Sequence, residues 1–192
     1  MATGAAEVGK VKGSAVTSRV RYIREHADEA VYQSIKEQLA PAHRALLDTG
    51  ILPHAWVPFE LFVDLNVNAD AVLGRGDLSL CREMGRFGAT VTLPTLYRIF
   101  LRLGSVGFIL RKASRLWSVH YDSGALEVEM GDHRARLTIR DLDTPHRAHC
   151  LSVTGWAEGA GSLTGAKMDR AEETRCRTRG DPACQIEVAW RD

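Results

Sequence analysis

Apolar residues recur at helical spacing from the start of the ordered chain to about Trp117, after which the pattern changes. Ser14 stands as an N-cap for a helix through Val20 to His26, and Pro41, Leu52-Pro53, Gly74-Arg75-Gly76 and Gly104-Ser105 punctuate the amphipathic segments that follow. Asp77 caps a segment with Leu80, Met84 and Phe87 on one face. Pro94 is expected to open another, whose Leu96, Ile99, Phe100 and Leu103 form an apolar stripe. Such stripes are core in most helices; they also line the apolar pockets that small molecules enter between helices.

Beyond Tyr121-Asp122-Ser123-Gly124 the apolar positions alternate: Leu126, Val128 and Met130, then Ala135, Leu137 and Ile139, with Gly131-Asp132 between them. That is a hairpin signal. Helical character returns from His146 to about Thr164, and Lys167 to Trp190 makes a second hairpin around Gly180-Asp181-Pro182. Helices first, then hairpin, helix and hairpin, predict an α+β fold with N-terminal helices packed on a C-terminal antiparallel sheet. Residues 1–12, rich in Gly, Ala and Lys without periodicity, are expected to be a flexible tail, and 13–192 a single domain. No strand, Gly-rich turn and helix unit offers the usual nucleotide site.

Charge narrows the partners. Lys and Arg total 25 against 24 Asp and Glu, so no excess charge argues for nucleic acid or an acidic membrane surface. No window holds the roughly 18 consecutive apolar residues of a membrane span, and MATGAAEVGKVKG lacks the apolar middle of a secretory signal. The expected location is cytoplasmic. In that reducing compartment the four cysteines are expected as thiols or metal ligands, and three of them lie in the last 43 residues.

Cys176 and Cys184 are each four positions from Gly180, so a symmetric hairpin sets them opposite one another with Cβ atoms about 4.5–5.5 Å apart. Such a pair suits a shared zinc or a disulfide, and the compartment favours the metal. Cys150 lies on the preceding helix, on a face with Val153, Thr154, Ala157 and Gly161 small enough to let the helix approach the sheet. A fourth ligand would come from Glu172, Glu173, His146, His149 or water. Strand alternation places Glu172 on the face of Cys176 and turns Glu173 away, unless a bulge intervenes.

Cys150, Gly155-Trp156-Ala157-Glu158-Gly159, Glu173-Thr174-Arg175-Cys176 and Gly180-Asp181-Pro182-Ala183-Cys184 together resemble the 4-vinyl reductase domain, the effector-binding module of bacterial activators that sense phenols and related aromatics. Its zinc-containing members carry a helical Cys, a stretch close to G-aromatic-A-x-G, then E-x-x-C and a Cys eight positions on. The resemblance therefore implies zinc on Cys150, Glu173, Cys176 and Cys184, with an irregular strand at Glu173. It is densest over the last 45 or so residues. GRGDLSLCREMGR and LRLGSVGFILRKASRLWSVHYDSG extend it to stand-alone bacterial proteins of similar length. It implies a fold shared with haem-based nitric oxide sensors and vesicle-tethering subunits, an apolar cavity between helices and sheet, and frequent homodimers.

Those haem sensors hold the propionates with Y-x-S-x-R and the iron with a histidine. Here Tyr121-Asp122-Ser123-Gly124 is followed by Ala125, which weighs against haem, and His120 reads as an ordinary surface or core residue. A zinc closed by four protein ligands leaves no position for substrate or activated water, and no nucleophile with its base stands out. The expectation is a non-enzymatic sensory domain for an apolar or aromatic small molecule, with output through a separate protein. Tyr97, Trp117 and Tyr121 are candidates for the ligand site, although packing in the core explains them as well. Cys81 reads as a small buried hydrophobe. Two other readings are an adaptor subunit with a vestigial cavity and a tetrapyrrole reductase, whose flavin or nicotinamide no motif here would bind.

Overall fold

The computed structural model describes residues 9–103 and 105–191, with the side chains of 94–103 outside the described set. Strand β1 (Lys10–Lys12) leads into helices α1 (Gly13–His26), α2 (Glu29–Glu37) and α3 (Pro41–Thr49). Strand β2 (Trp56–Pro58) follows, then α4 (Phe59–Leu73), α5 (Ser79–Leu103) and α6 (Val106–His120). Strands β3 (Ala125–Gly131) and β4 (Arg134–Arg140), helix α7 (Arg147–Ser162), and strands β5 (Lys167–Arg175) and β6 (Cys184–Arg191) complete the chain. The α+β expectation holds, with hairpin, helix and hairpin in the predicted order.

The four C-terminal strands form one antiparallel sheet in the order β3-β4-β6-β5. Ala135, Leu137 and Ile139 of β4 and Ile186, Val188 and Trp190 of β6 are buried at alternate positions, as the period of two requires. Facing water, Arg136 pairs with Glu187 and Glu129, Arg140 with Glu127, and Arg191 with Asp169. Helix α7 covers β5 and β6, and α6 covers β3.

Helices α5 and α7 pack backbone to backbone. A Cβ at Gly155 would run into the Arg82 carbonyl, one at Gly85 into the Ser152 carbonyl, and one at Gly159 would come within 2.7 Å of the Arg86 carbonyl oxygen. The glycines that flank Trp156 thus serve the contact with α5. Gly161 alone meets the sheet, through Met168. Helix α5 runs unbroken through Pro94, where the sequence predicts a new helix. A proline removes one backbone donor, and packing along a 25-residue helix outweighs that local loss. Upstream, buried Asp70 fixes the turn into α5 by accepting the Leu78 and Leu80 amides at 2.8 and 2.9 Å.

Residues 10–12, expected to belong to a flexible tail, form a strand instead; residues 1–8 lie outside the described residues. Lys10–Lys12 pairs antiparallel with Trp56–Pro58, and Val11 is fully buried. Val11 also bridges to Tyr121, and the Lys10 amide donates to Asp122 Oδ1. Ser14 is not the cap either, because α1 already begins at Gly13 with Lys12 at the N-cap. Among the described residues, no helix is long and apolar enough to cross a membrane.

Candidate functional site

Two buried polar clusters flank α7. The first gathers the cysteines. Cys150 lies in the first turns of α7, Cys176 follows β5, and Cys184 opens β6. The loop between the last two is set by Gly180 at φ 91° and by Asp181 Oδ2, which accepts the Cys176 amide at 2.8 Å. All three thiols are free and buried, and their sulfurs lie within 4.8 Å of one another. The Arg177 amide donates to Cys184 Sγ at 3.3 Å, and Thr178 Oγ1 is 3.0 Å from Cys176 Sγ.

Hydrogen bonds to Cys176 and Cys184, together with burial, hold the Cys150 proton on its sulfur. The same bonds ease ionisation of Cys176 and Cys184. Three sulfurs that compete for protons in one buried spot form a soft, anionic donor set, the chemistry that zinc selects.

Glu173 comes to lie beside this cluster through a register shift. The β5–β6 pairing slips between Glu173 and Arg175, leaving Thr174 over. Glu173 shares the inward face with buried Ala171, and the slip brings Cys176 onto that face; the Glu173 side chain is 3% exposed, while Glu172 is 61% exposed and paired with Arg170. Alternation alone would choose Glu172; the irregularity reverses that choice. Glu173 Oε2 is held by Arg147 at 3.2 Å and Arg179 at 3.5 Å, and Oε1 is buried without a hydrogen-bond partner. Burial raises the Glu173 pKa against the opposing pull of Arg147. Its carboxylate stands outside the 4.8 Å group of sulfurs.

The second cluster surrounds a cavity of about 100 Å³ between α1, α5, α6 and α7. Phe62, Leu93, Trp117, Tyr121 and Trp156 supply much of its apolar lining, and Ser18, Arg19 and Ser152 its polar part. Trp117 stacks on Tyr121 at 4.3 Å between ring centroids, and its Nε1 donates to the Ser123 carbonyl at 3.1 Å. Two of the three ligand-site candidates, Trp117 and Tyr121, therefore line the cavity. The side chain of Tyr97 lies outside the described residues.

His149 sits between the clusters. It is fully buried, edge-on to Phe59, Phe62, Trp117 and Tyr121 at 5.0–6.1 Å, and neither ring nitrogen has a partner. Burial above all, then Arg19 and His146, pushes its pKa down to about 3, so the ring is neutral.

Sequence reasoning missed Arg19, Ser18 and Ser152. Arg19 left a readable signal: it falls on the face of α1 that carries the buried Val16, Tyr22 and Ile23, where a charge is out of place.

No family model matches the chain, and no curated protein matches it in sequence. Solved structures do. An H-NOX protein from S. oneidensis in the Fe(II)NO ligation state superposes with a TM-score of 0.73 at 11% identity, covering 94% of this chain and 99% of that one. The Fe(II) unliganded H-NOX protein from K. algicida gives 0.72 at 10% identity, with 94% and 97% covered. An oxygen-binding H-NOX domain related to soluble guanylate cyclases gives 0.67 at 13% identity, with 94% and 95% covered. The chain therefore shares the α+β fold of H-NOX domains, in line with the expected kinship to haem-based sensors. At such identity the likeness is one of fold.

Proposed function

We propose that this chain is a non-enzymatic sensory domain that takes an apolar or aromatic small molecule into its cavity, with one wall fixed by a structural zinc. One observation carries this reading: α7 serves both clusters. It supplies Cys150 to the thiols and Ser152, Val153 and Trp156 to the cavity. A ligand that favours one placement of α7 would change how the helix bears on the last hairpin, which is the differential contact a switch requires.

Cys150, Cys176 and Cys184 would hold the metal, with Glu173 as the fourth ligand through the unpartnered Oε1. This donor set also matches the spacing of the 4-vinyl reductase pattern. The zinc supplies fixed geometry only, since four protein ligands leave no open position for chemistry. The protein's own residues do the rest: Arg147 and Arg179 steady the carboxylate, and the Arg177 amide and Thr178 hydroxyl support the sulfurs.

A haem reading is favoured by the structural neighbours, one of which was solved in a study of haem redox potential and porphyrin distortion. The residues here supply only part of such a site: His120 lines the cavity, but the rest is missing. The cavity is smaller than the ~150 Å³ hole that holds benzene. Ala125 stands where the propionate-binding arginine would be.

Native mass spectrometry of the chain purified without added metal, with elemental zinc measured alongside, tests the proposal. We expect one zinc per chain together with a small-molecule mass, and the same spectra read whether the chain pairs as a homodimer. Absence of zinc with masses showing a disulfide among Cys150, Cys176 and Cys184 would overturn the metal site. A mass matching haem would overturn the ligand assignment.

A further inference from the structure

Many surface arginines of this fold are paired with acids: Arg21, Arg24, Arg136, Arg140 and Arg191 each face a carboxylate. Arg19 is the reverse case. It is 5% exposed, lines the cavity, and contacts only neutral acceptors: Asn66 Oδ1 at 3.1 Å, Ser18 Oγ at 2.9 Å, and Ser152 Oγ. Its guanidinium stacks 5.1 Å from the Phe62 ring centroid, and Asn66 is itself held by its bond to the Phe62 carbonyl. Among the described residues no carboxylate pairs with it.

This site is built rather than incidental. Gly88 clears the space for the guanidinium, since a Cβ there would come within 2.8 Å of Nη1. Three hydrogen bonds are made out of the five N–H donors of an arginine, so two donors remain for a guest. Burial lowers the Arg19 pKa to about 10, which leaves it cationic at neutral pH. A buried cation held by neutral groups alone is costly, and an anion brought to it relieves that cost.

We infer that the cavity selects a small aromatic carboxylate, its charged end held by Arg19 with Ser18 and Ser152, and its ring lying among Phe62, Trp117, Tyr121 and Trp156. This deepens the sensory reading and rests on it. The planar fork of arginine matches a carboxylate in bidentate fashion, and the aromatic walls disfavour an inorganic anion. At about 100 Å³ the cavity is below the ~150 Å³ that takes benzene, so a single-ring guest is the upper limit and enters only as the lining side chains move outward.

Isothermal titration of the purified chain with benzoate, phenol and acetate tests this. We expect benzoate to bind at least tenfold tighter than either of the others, because only benzoate carries both charge and ring. Arg19→Met should lose about thirtyfold or more of the benzoate affinity while binding phenol as well as before. Arg19→Lys should keep part of the affinity. The Met variant is expected to fold, since a buried charge is exchanged for an apolar side chain of similar length. The comparison of the three ligands on the unmodified protein decides the matter even if it does not.

Phenol binding as tightly as benzoate would overturn the inference and leave the sensory reading standing. Acetate equal to benzoate would overturn the aromatic part. Failure of both ring compounds to bind would count against the inference and the proposed cavity function together.

Discussion

Around Cys150 three thiols and a nearby carboxylate crowd together, all of them groups that become negative. Around Arg19 a single cation is held by hydroxyls, an amide and an aromatic face. The first region has acceptors in search of a cation; the second has a cation in search of an anion. Both are buried and both touch α7, yet they relax differently. Protons shared among the sulfurs can quiet the first from within, whereas among the described residues no neighbouring carboxylate neutralises the second. Each region therefore indicates the sign of what it would bind.

The largest expected effect comes from breaking the thiol cluster. Cys184→Ser should release zinc and cost at least ~4 kcal/mol, a fall in Tm of roughly 8–16 °C for a chain of this size. Thermal melts with and without chelator check this; an unmodified chain that melts at the same temperature under both conditions would remove the metal from the comparison. Next is the helix that joins the regions. Gly155→Val drives a side chain into the Arg82 carbonyl and should cost about 3 kcal/mol. It should also weaken ligand uptake in the titrations, because α7 can no longer close the cavity wall.

Between the clusters the sign reverses. His149→Phe replaces an imidazole with two unsatisfied nitrogens by a ring suited to its aromatic surroundings. It should raise stability by about 1–2 kcal/mol, read as a higher urea midpoint. A loss instead would mean that the imidazole has a partner in solution, such as the ligand. The smallest effect is expected at the cavity's polar wall, where Ser152→Ala takes one acceptor from Arg19 and should cost about 1 kcal/mol in the same assay.

What the sequence made visible follows from how local each signal is. The cysteine pair was legible because four residues on either side of Gly180 define a hairpin, and the pairing of Arg175 with Gln185 leads directly to it. Glu173 was not legible from strand period, since a one-residue slip at Thr174 is a backbone event with no compositional mark; only the resemblance pointed to it. β1 and β2 are three residues long, too short for alternation to show. Pro94 was read by its local rule, while the packing of α5 on α7 joins segments some seventy residues apart and leaves no local mark. The apolar cavity was anticipated in kind, but its charge was not, because Arg19 looks like any arginine until the face it occupies is known.

Strand β1 has a consequence for how the chain is made. Its residues pair with Trp56–Pro58, and Val11 and Lys10 then reach the segment at Tyr121 and Asp122. A ribosome adding about 5–20 residues per second needs roughly 5–20 s to pass from the first of these segments to the last. During synthesis the amino-terminal strand therefore waits with one edge unmatched until more than half of the chain has emerged. Its two lysines, flanking the single buried valine, supply the charge that discourages pairing with another nascent chain in the meantime.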